Sequence, residues 1–199
     1  MTIRPRQPSL FAEGPASARA AVPEGVSSFE DALSRQEEAA AADSIAALDL
    51  KPFEFHGFQG NRRTTSFGWR YDFNGGGLQR GQPMPPFFEP LRERAASLAG
   101  LAPSDLEHVL VTEYSPGAGI GWHRDRPQFG KVVALSLLAP CRLRFRRKLG
   151  EGWERLSHIV EPRSAYVLDG PGRDQWEHSI PPVEALRYSL TFRTMRQRR

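Results

Sequence analysis

His123, Asp125 and His178 are the residues of this chain whose types and spacing suit metal chemistry. Two imidazoles and one carboxylate form the ligand set of redox-active non-haem Fe(II) sites, which keep positions open on the ion. His123-Arg124-Asp125 reads as extended backbone. On a strand alternate side chains share a face, so His123 and Asp125 would point one way and Arg124 the other. A distant strand then need only deliver His178, which lies 53 residues beyond Asp125. With five histidines and 23 acidic residues, an isolated His-x-Asp also arises by chance. What accompanies it decides its meaning.

The second informative segment is Arg187-Tyr188-Ser189-Leu190-Thr191-Phe192-Arg193. Period-two alternation puts Arg187, Ser189, Thr191 and Arg193 on one face and Tyr188, Leu190 and Phe192 on the other. A doubly cationic face suits an anionic ligand, because the planar guanidinium pairs bidentately with a carboxylate. The same alternation also fits an edge strand with its polar face in water. The start of this strand, nine residues after His178, favours the ligand.

The elements that must position these residues follow from the pattern. Residues 1–25, rich in Pro, Ala, Ser, Glu and Arg, read as a loose tail. Glu30–Leu48 is Ala- and Glu-rich and predicts a helix, closed by Pro52. Phe53, Phe55 and Phe58 precede Thr64, Thr65, Phe67, Trp69, Tyr71 and Phe73, whose last four aromatics alternate along one predicted strand ending at Asn74-Gly75-Gly76-Gly77. Phe87, Phe88, Leu91, Ala95 and Leu98 recur at helical spacing after Pro85-Pro86, and Gly100 ends that helix. Short strands follow at 109–114, 120–125, 132–138, 142–146, 157–160, 166–168 and 186–192, with turns at Ser115-Pro116-Gly117 and Gly170-Pro171-Gly172. Many short strands behind one or two helices suggest a β-sandwich or jelly roll.

Composition narrows the class. The 199 residues, 39% hydrophobic, suit one domain with a substantial core. No apolar run reaches the roughly 18 residues of a membrane span, and the basic N-terminus lacks the apolar segment of a secretory signal. The single cysteine, Cys141, excludes an internal disulfide framework and, within Leu137-Leu138-Ala139-Pro140-Cys141, reads as a small buried residue. A reducing, cytoplasmic location and no membrane partner are the expectations. The net charge of +4 is concentrated in Arg142, Arg144, Arg146, Arg147 and Lys148 and in Arg193, Arg196, Arg198 and Arg199. Such clusters dock phosphates or simply form a solvated face.

Taken together, His123-x-Asp125, His178 and Arg187-(five residues)-Arg193, with Tyr114-Ser115-Pro116-Gly117-Ala118 ahead of them, resemble the Fe(II)- and 2-oxoglutarate-dependent dioxygenases and the AlkB family in particular. The similarity runs from about Phe53 to Arg196. It implies a mainly β protein: a double-stranded β-helix (jelly-roll) core at about 105–196, preceded by N-terminal helices and a substrate lid, within one domain at 26–199. It further implies Fe(II) on His123, Asp125 and His178, and 2-oxoglutarate and O2 as co-substrates. Arg187 would hold the distal carboxylate of 2-oxoglutarate with help from Tyr114, Arg193 would lie near its other end, and Thr112 and Ser189 belong to the same pocket. The implied reaction is oxidative dealkylation of N-alkylated nucleic-acid bases, as in DNA repair, releasing succinate, carbon dioxide and formaldehyde. Trp69 and Tyr71 would stack on the extracted base, with Arg62, Arg63, Arg70 and Arg80 near phosphates. An aromatic strand of this kind also serves as half-buried packing.

Two departures keep other substrates open. Thr112 stands where the repair enzymes carry asparagine, and Pro127 stands where they carry an acid that helps recognise the base. The same chemistry on a protein side chain or small molecule is therefore an alternative. A non-catalytic nucleic-acid-binding module fits the basic clusters but gives no reason for His123, Asp125, His178 and Arg187 to occur together. A zinc hydrolase would not need Arg187 and Arg193 on one face. His56, His108 and His158 read as ordinary surface or core residues.

Overall fold

The run Val132–Leu137, apolar except for Ser136, has apolar residues on both faces, so the strand that carries it must be covered from both sides. It is. In a computed structural model, which describes residues 22–55, 58–72 and 77–196, the elements are β1 (Val26–Phe29), α1 (Arg35–Ala46), β2 (Lys51–Phe55), β3 (Phe58–Phe67), β4 (Trp69–Asp72), β5 (Gly77–Arg80), α2 (Glu89–Ala99), β6 (Leu106–Tyr114), β7 (Ile120–His123), β8 (Phe129–Leu137), β9 (Cys141–Leu149), β10 (Gly152–Val160), β11 (Ala165–Leu168), α3 (Gly170–Asp174), β12 (Glu177–Ile180) and β13 (Arg187–Met195). A seven-stranded antiparallel sheet runs β1-β11-β8-β13-β6-β3-β2, and a four-stranded sheet runs β10-β9-β12-β7. This is a double-stranded β-helix, the jelly roll expected from the strand spacing.

Two apolar layers hold it together. One lies between the sheets, where Ala134, Tyr166 and Leu168 meet Leu143, Phe145 and Ile180. The other covers the outer face of the large sheet, where Val133, Leu135, Tyr188, Leu190 and Phe192 pack with Ile45 of α1 and Phe88 and Leu91 at α2. The central strands β8 and β13 are therefore buried on both faces.

Several local expectations change. The first helix starts at Arg35, not Glu30, because Ser34 and Glu37 form a reciprocal capping box. The residues ahead of it make β1, paired with β11. Pro52 does not close a helix. It lies in β2, at the edge of the large sheet beside a register shift, where a missing N–H is tolerated. Within the predicted tail, residues 1–21 lie outside the described residues, but Pro23 is buried and Gly25 accepts from the Asp169 amide. The second helix matches its expectation, ending at Gly100 in the left-handed conformation.

The aromatic stretch 67–73 is not one strand. Gly68 has φ +80°, and a Cβ there would lie 1.9 Å from the Glu107 carbonyl oxygen. The chain turns at this glycine, so Phe67 ends β3 in the large sheet while Trp69 and Tyr71 enter a separate β4–β5 hairpin. Phe73 and the turn residues 74–76 lie outside the described residues. Gly68→Ala is expected to lower the free energy of unfolding by more than Gly77→Ala, whose φ is +64° with open space around it. The second change should show only the left-handed penalty of about 1 kcal/mol, and chemical denaturation of both variants measures the difference.

Candidate metal and dicarboxylate site

Antiparallel pairing between β6 and β13 builds the floor of the site row by row. Arg187 is opposite Tyr114, Ser189 opposite Thr112, Thr191 opposite Leu110 and Arg193 opposite His108. On the next strand, Arg62 lies opposite Tyr114 and Thr64 opposite Thr112. The expected alternation of β13 holds, and its polar face turns inward between the sheets rather than to water. Arg187 is fully buried and Arg193 nearly so.

The facing sheet supplies the histidines. In the β7–β12 pair His123 and His178 are direct cross-strand partners, with ring centroids 4.2 Å apart. The His123 Nδ1 lies 2.9 Å from the Gly121 carbonyl oxygen. That oxygen only accepts, so Nδ1 carries the proton and Nε2 presents a lone pair, as a metal ligand requires. Burial pushes the His178 imidazolium down to about 3, aided by the neighbouring His123 and opposed by Asp125. Burial lowers the His123 imidazolium as well, so both rings are neutral, the form in which an imidazole can bind a metal.

Asp125 reaches the site by a different route from the one its spacing suggests. The strand ends at His123, and Asp125 follows in non-strand backbone. Its direction is set by Arg193, whose Nε and Nη2 donate to Oδ1 at 2.9 and 2.7 Å. Burial would raise the carboxyl, but Arg193 and the two histidines outweigh it and hold Asp125 well below the usual carboxylate range. Because Arg193 occupies Oδ1, Oδ2 is left towards His178, 3.8 Å from Nε2. Among the described residues no three His, Cys, Asp or Glu donors already converge to metal-bonding geometry. Two donors bound to one ion at about 2.1 Å stand no more than about 4.2 Å apart, so this separation is within reach of a shared ion. Two neutral imidazoles and an anionic oxygen fit Fe(II).

His108 belongs to the same assembly, which the sequence reading missed. It is buried on β6, its ring packs on Phe129 at 4.6 Å, and its Nδ1 stands 3.4 Å from Arg193 Nη1. Burial and the adjacent Arg193 lower its pKa well below the ordinary histidine value, so the neutral ring accepts from the guanidinium. The signal was available: His108, Leu110, Thr112 and Tyr114 share one face of β6 by period two.

At the far end of β13, Arg187 donates from Nε to Ser136 Oγ at 3.2 Å, and its guanidinium lies 5.2 Å from the centre of the Tyr114 ring. Nη1 and Nη2 are buried with no hydrogen-bond partner among the described residues. A desolvated guanidinium with two idle donors is costly unless a carboxylate takes its fork. A cavity of ≈ 70 Å³, lined among others by Tyr114, Tyr166, Ser189, His123, Asp125 and His178, runs from the histidines towards Tyr114 and Ser189. Arg187 is not in its wall, so an anion reaches the fork only once a wall side chain moves aside. Thr112 also lines the cavity.

Outside this cavity lies an open cleft of ≈ 2040 Å³, bordered by Phe53, Arg62, Arg80, Trp122, Arg124 and Pro127, among others. Arg62 stacks on Phe53 at 3.7 Å. Arg63 points to the other face of β3 and pairs with Glu113 at 2.7 Å. Trp69 does not border the cleft: its indole donates to Glu107 at 3.3 Å, and Arg80 covers the ring at 4.8 Å. Tyr71 pairs with Leu78 in the hairpin through the backbone. The side chains of Tyr71 and Arg70, and all of His56, lie outside the described residues. His158 bonds Ser28 Oγ at 2.8 Å across the sheet edges, away from the triad.

A jelly roll that pairs a His-x-Asp…His set with a buried arginine defines a non-haem iron dioxygenase architecture. Residues 25–199 match the 2OG-Fe(II) oxygenase superfamily, and the chain belongs to that family. It is 31% identical over 122 residues to the "Alpha-ketoglutarate-dependent dioxygenase AlkB" of Escherichia coli (strain K12), covering 55% of each chain. It is 28% identical over 144 residues to the "Alkylated DNA repair protein ALKBH8 homolog" of Arabidopsis thaliana, covering 60% of this chain and 42% of that one. The chain thus spans about half the length of these relatives. The fold is shared with OsALKBH1 (TM-score 0.66, 14% identity, 87% of this chain and 98% of that one). It is also shared with a prolyl-4-hydroxylase of Pseudomonas putida (TM-score 0.57, 19% identity, 87% and 94%).

If Arg193 holds Asp125, removing it leaves a buried carboxylate unpaired. Arg193→Met is expected to lower the metal-free stability by about 3–5 kcal/mol in equilibrium unfolding. A loss no larger than that of an exposed arginine would show that the pair does not orient the ligand.

Proposed function

We propose that this protein is an Fe(II)- and 2-oxoglutarate-dependent dioxygenase that removes N-alkyl groups from nucleic-acid bases, as in DNA or RNA alkylation repair. One observation carries the co-substrate: the buried Arg187 fork, whose two terminal nitrogens have no hydrogen-bond partner among the described residues. A dicarboxylate completes it, one carboxylate against Arg187 and the 2-oxo acid end towards His123, Asp125 and His178. Tyr114 flanks the guanidinium, and Thr112 and Ser189 offer hydroxyls between the two ends.

When bound, the metal supplies activation of O2 coupled to oxidative decarboxylation of the 2-oxo acid. The protein's own residues orient and exclude. The two neutral histidines and the ionised Asp125 would hold the ion. Arg193 holds the Asp125 carboxylate, and His108 holds Arg193. Enclosure between the sheets keeps water from the reacting atoms. One oxygen atom goes to succinate and the other to the substrate methyl carbon. The N-hydroxymethyl product then breaks its C–N bond, releasing formaldehyde and the bare nitrogen.

The nucleic-acid substrate is supported by the similarity to the alkylated DNA repair protein ALKBH8 homologue of Arabidopsis thaliana and by the cationic border of the cleft, with Arg62, Arg80, Arg124 and Arg126. Base stacking falls to the aromatic groups of this border. Phe53 stands at the cavity and Tyr71 lies in the hairpin, whereas Trp69 takes part only if its indole leaves Glu107 and Arg80. Pro127, in place of a base-reading acid, favours a second reading, the same oxidation on a protein or small molecule.

Purified protein with Fe(II), ascorbate and 2-oxoglutarate is expected to release formaldehyde and succinate on addition of single-stranded oligonucleotide carrying 1-methyladenine or 3-methylcytosine. His123→Ala should abolish both products. Arg187→Ala should raise the 2-oxoglutarate requirement roughly 100-fold with little change in metal affinity. Succinate release that no methylated oligonucleotide stimulates would reject the nucleic-acid substrate and leave the second reading.

A further inference from the structure

The outer face of the four-stranded sheet carries an array that the catalytic site does not use. On β9 the inward residues Cys141, Leu143 and Phe145 are buried, so Arg142, Arg144, Arg146 and Lys148 point outward. Cross-strand register sets Arg155 beside Arg146 and Trp153 beside Lys148 on β10, and Glu177 beside Arg146 on β12. On β7, Trp122 lies next to the ligand His123 and turns to this outer face. Arg144 and Arg146 stand 5.1 and 4.5 Å from the centre of its ring. Arg146 and Lys148 stand 4.3 and 5.5 Å from that of Trp153, which is 37% exposed.

Charge on this face is unbalanced. Glu177 is the one carboxylate at the outward positions of these strands, and it neutralises Arg146 at 2.6 Å. Arg142, Arg144, Lys148 and Arg155 make no ion pair among the described residues. Outward positions on a strand recur about every 6.8 Å, so the four cations of β9 form a straight row about 20 Å long. A single phosphate would not need such a row, but an extended polyanion would. Indoles set between the cations add flat stacking surfaces, the combination that holds unpaired nucleic-acid strands without sequence preference. The row also leads somewhere: Trp122, on β7 beside Arg144 and Arg146, borders the catalytic cleft.

We infer that this outer sheet face is a docking track for a single nucleic-acid strand, with phosphates along Arg142, Arg144, Lys148 and Arg155 and bases on Trp122 and Trp153. The track lies outside the cleft and binds unmodified strand. It would retain the substrate while successive bases are offered to the site. Its purpose rests on the nucleic-acid reading of the cleft, but its binding does not require that any base be oxidised.

The test is fluorescence anisotropy of an unmodified single-stranded oligonucleotide with the full-length protein across a salt series. Arg142→Ser/Arg155→Ser alters two exposed side chains remote from the metal site. It is expected to weaken binding at least about tenfold at low salt and to reduce the slope of log affinity against log salt by about 1.4, at about 0.7 for each phosphate no longer neutralised. Trp153→Leu should weaken binding with the slope unchanged. Arg35→Ser/Arg94→Ser, an equal charge change on and near the helices, should leave both nearly as in the parent protein. Equal affinity and slope in the parent and in Arg142→Ser/Arg155→Ser would overturn the track, as would a parent that binds anionic lipid vesicles but not the oligonucleotide. The two proposals fail separately. Demethylation without a β9-dependent salt slope rejects the track alone, and a β9-dependent slope without demethylation rejects the repair reaction alone.

Discussion

Two arginines turned into the space between two β-sheets constrain everything else in this protein. Each guanidinium has been removed from water, and each demands an anion or an equivalent acceptor set. Arg193 is satisfied within the protein by Asp125 and His108. Arg187 is satisfied only in part, by Ser136. The difference divides β13 into a structural end and a receptive end. At the structural end the ion pair fixes Asp125, the candidate ligand that no strand positions. At the receptive end the incomplete pairing makes a dicarboxylate the natural complement. The jelly roll is what allows this division, because its helix-covered sheet buries both faces of β13 while the second sheet brings the paired histidines over the polar side.

The sequence revealed much of the site, and the reason is periodicity. Arg187 to Arg193 alternates so regularly that its two faces can be assigned without coordinates, and the buried apolar face does meet the helices. Alternation alone does not say whether the polar face meets water or an enclosed site. That depends on the second sheet, whose histidines arrive from β7 and β12 through a long-range pairing. His178 is recognisable as a ligand only beside the His-x-Asp pair and the arginine strand. Asp125 does lie beside His178, as its spacing suggested, but by a different route. A pleated strand would have aimed it, but the strand stops at His123 and an ion pair takes over.

Other differences trace to interactions that a local pattern does not contain. Gly68 breaks the aromatic strand because the Glu107 carbonyl, close to it in space and 39 residues on in sequence, leaves no room for a side chain. His108 looked ordinary because the residues two positions to either side, Leu106 and Leu110, are apolar, while the residue it serves, Arg193, is 85 positions away. Pro52 read as a terminator because proline ends helices, yet an edge strand also tolerates it. The basic run of β9 had two readings, phosphate dock or solvated face. What the fold adds is that its cations are aligned on one face, interleaved with two tryptophans and joined to the cleft through Trp122.

The central claim is that the idle donors of Arg187 are completed by the distal carboxylate of the co-substrate. Calorimetric titration of the Mn(II)-loaded protein, which does not turn over, with 2-oxoglutarate and with 2-oxobutyrate tests it directly. The second acid keeps the 2-oxo acid end and lacks the distal carboxylate. The account predicts that 2-oxoglutarate binds at least about 100-fold more tightly, the discrimination of a buried charge-assisted pair. Equal affinities would mean that Arg187 does not receive the co-substrate.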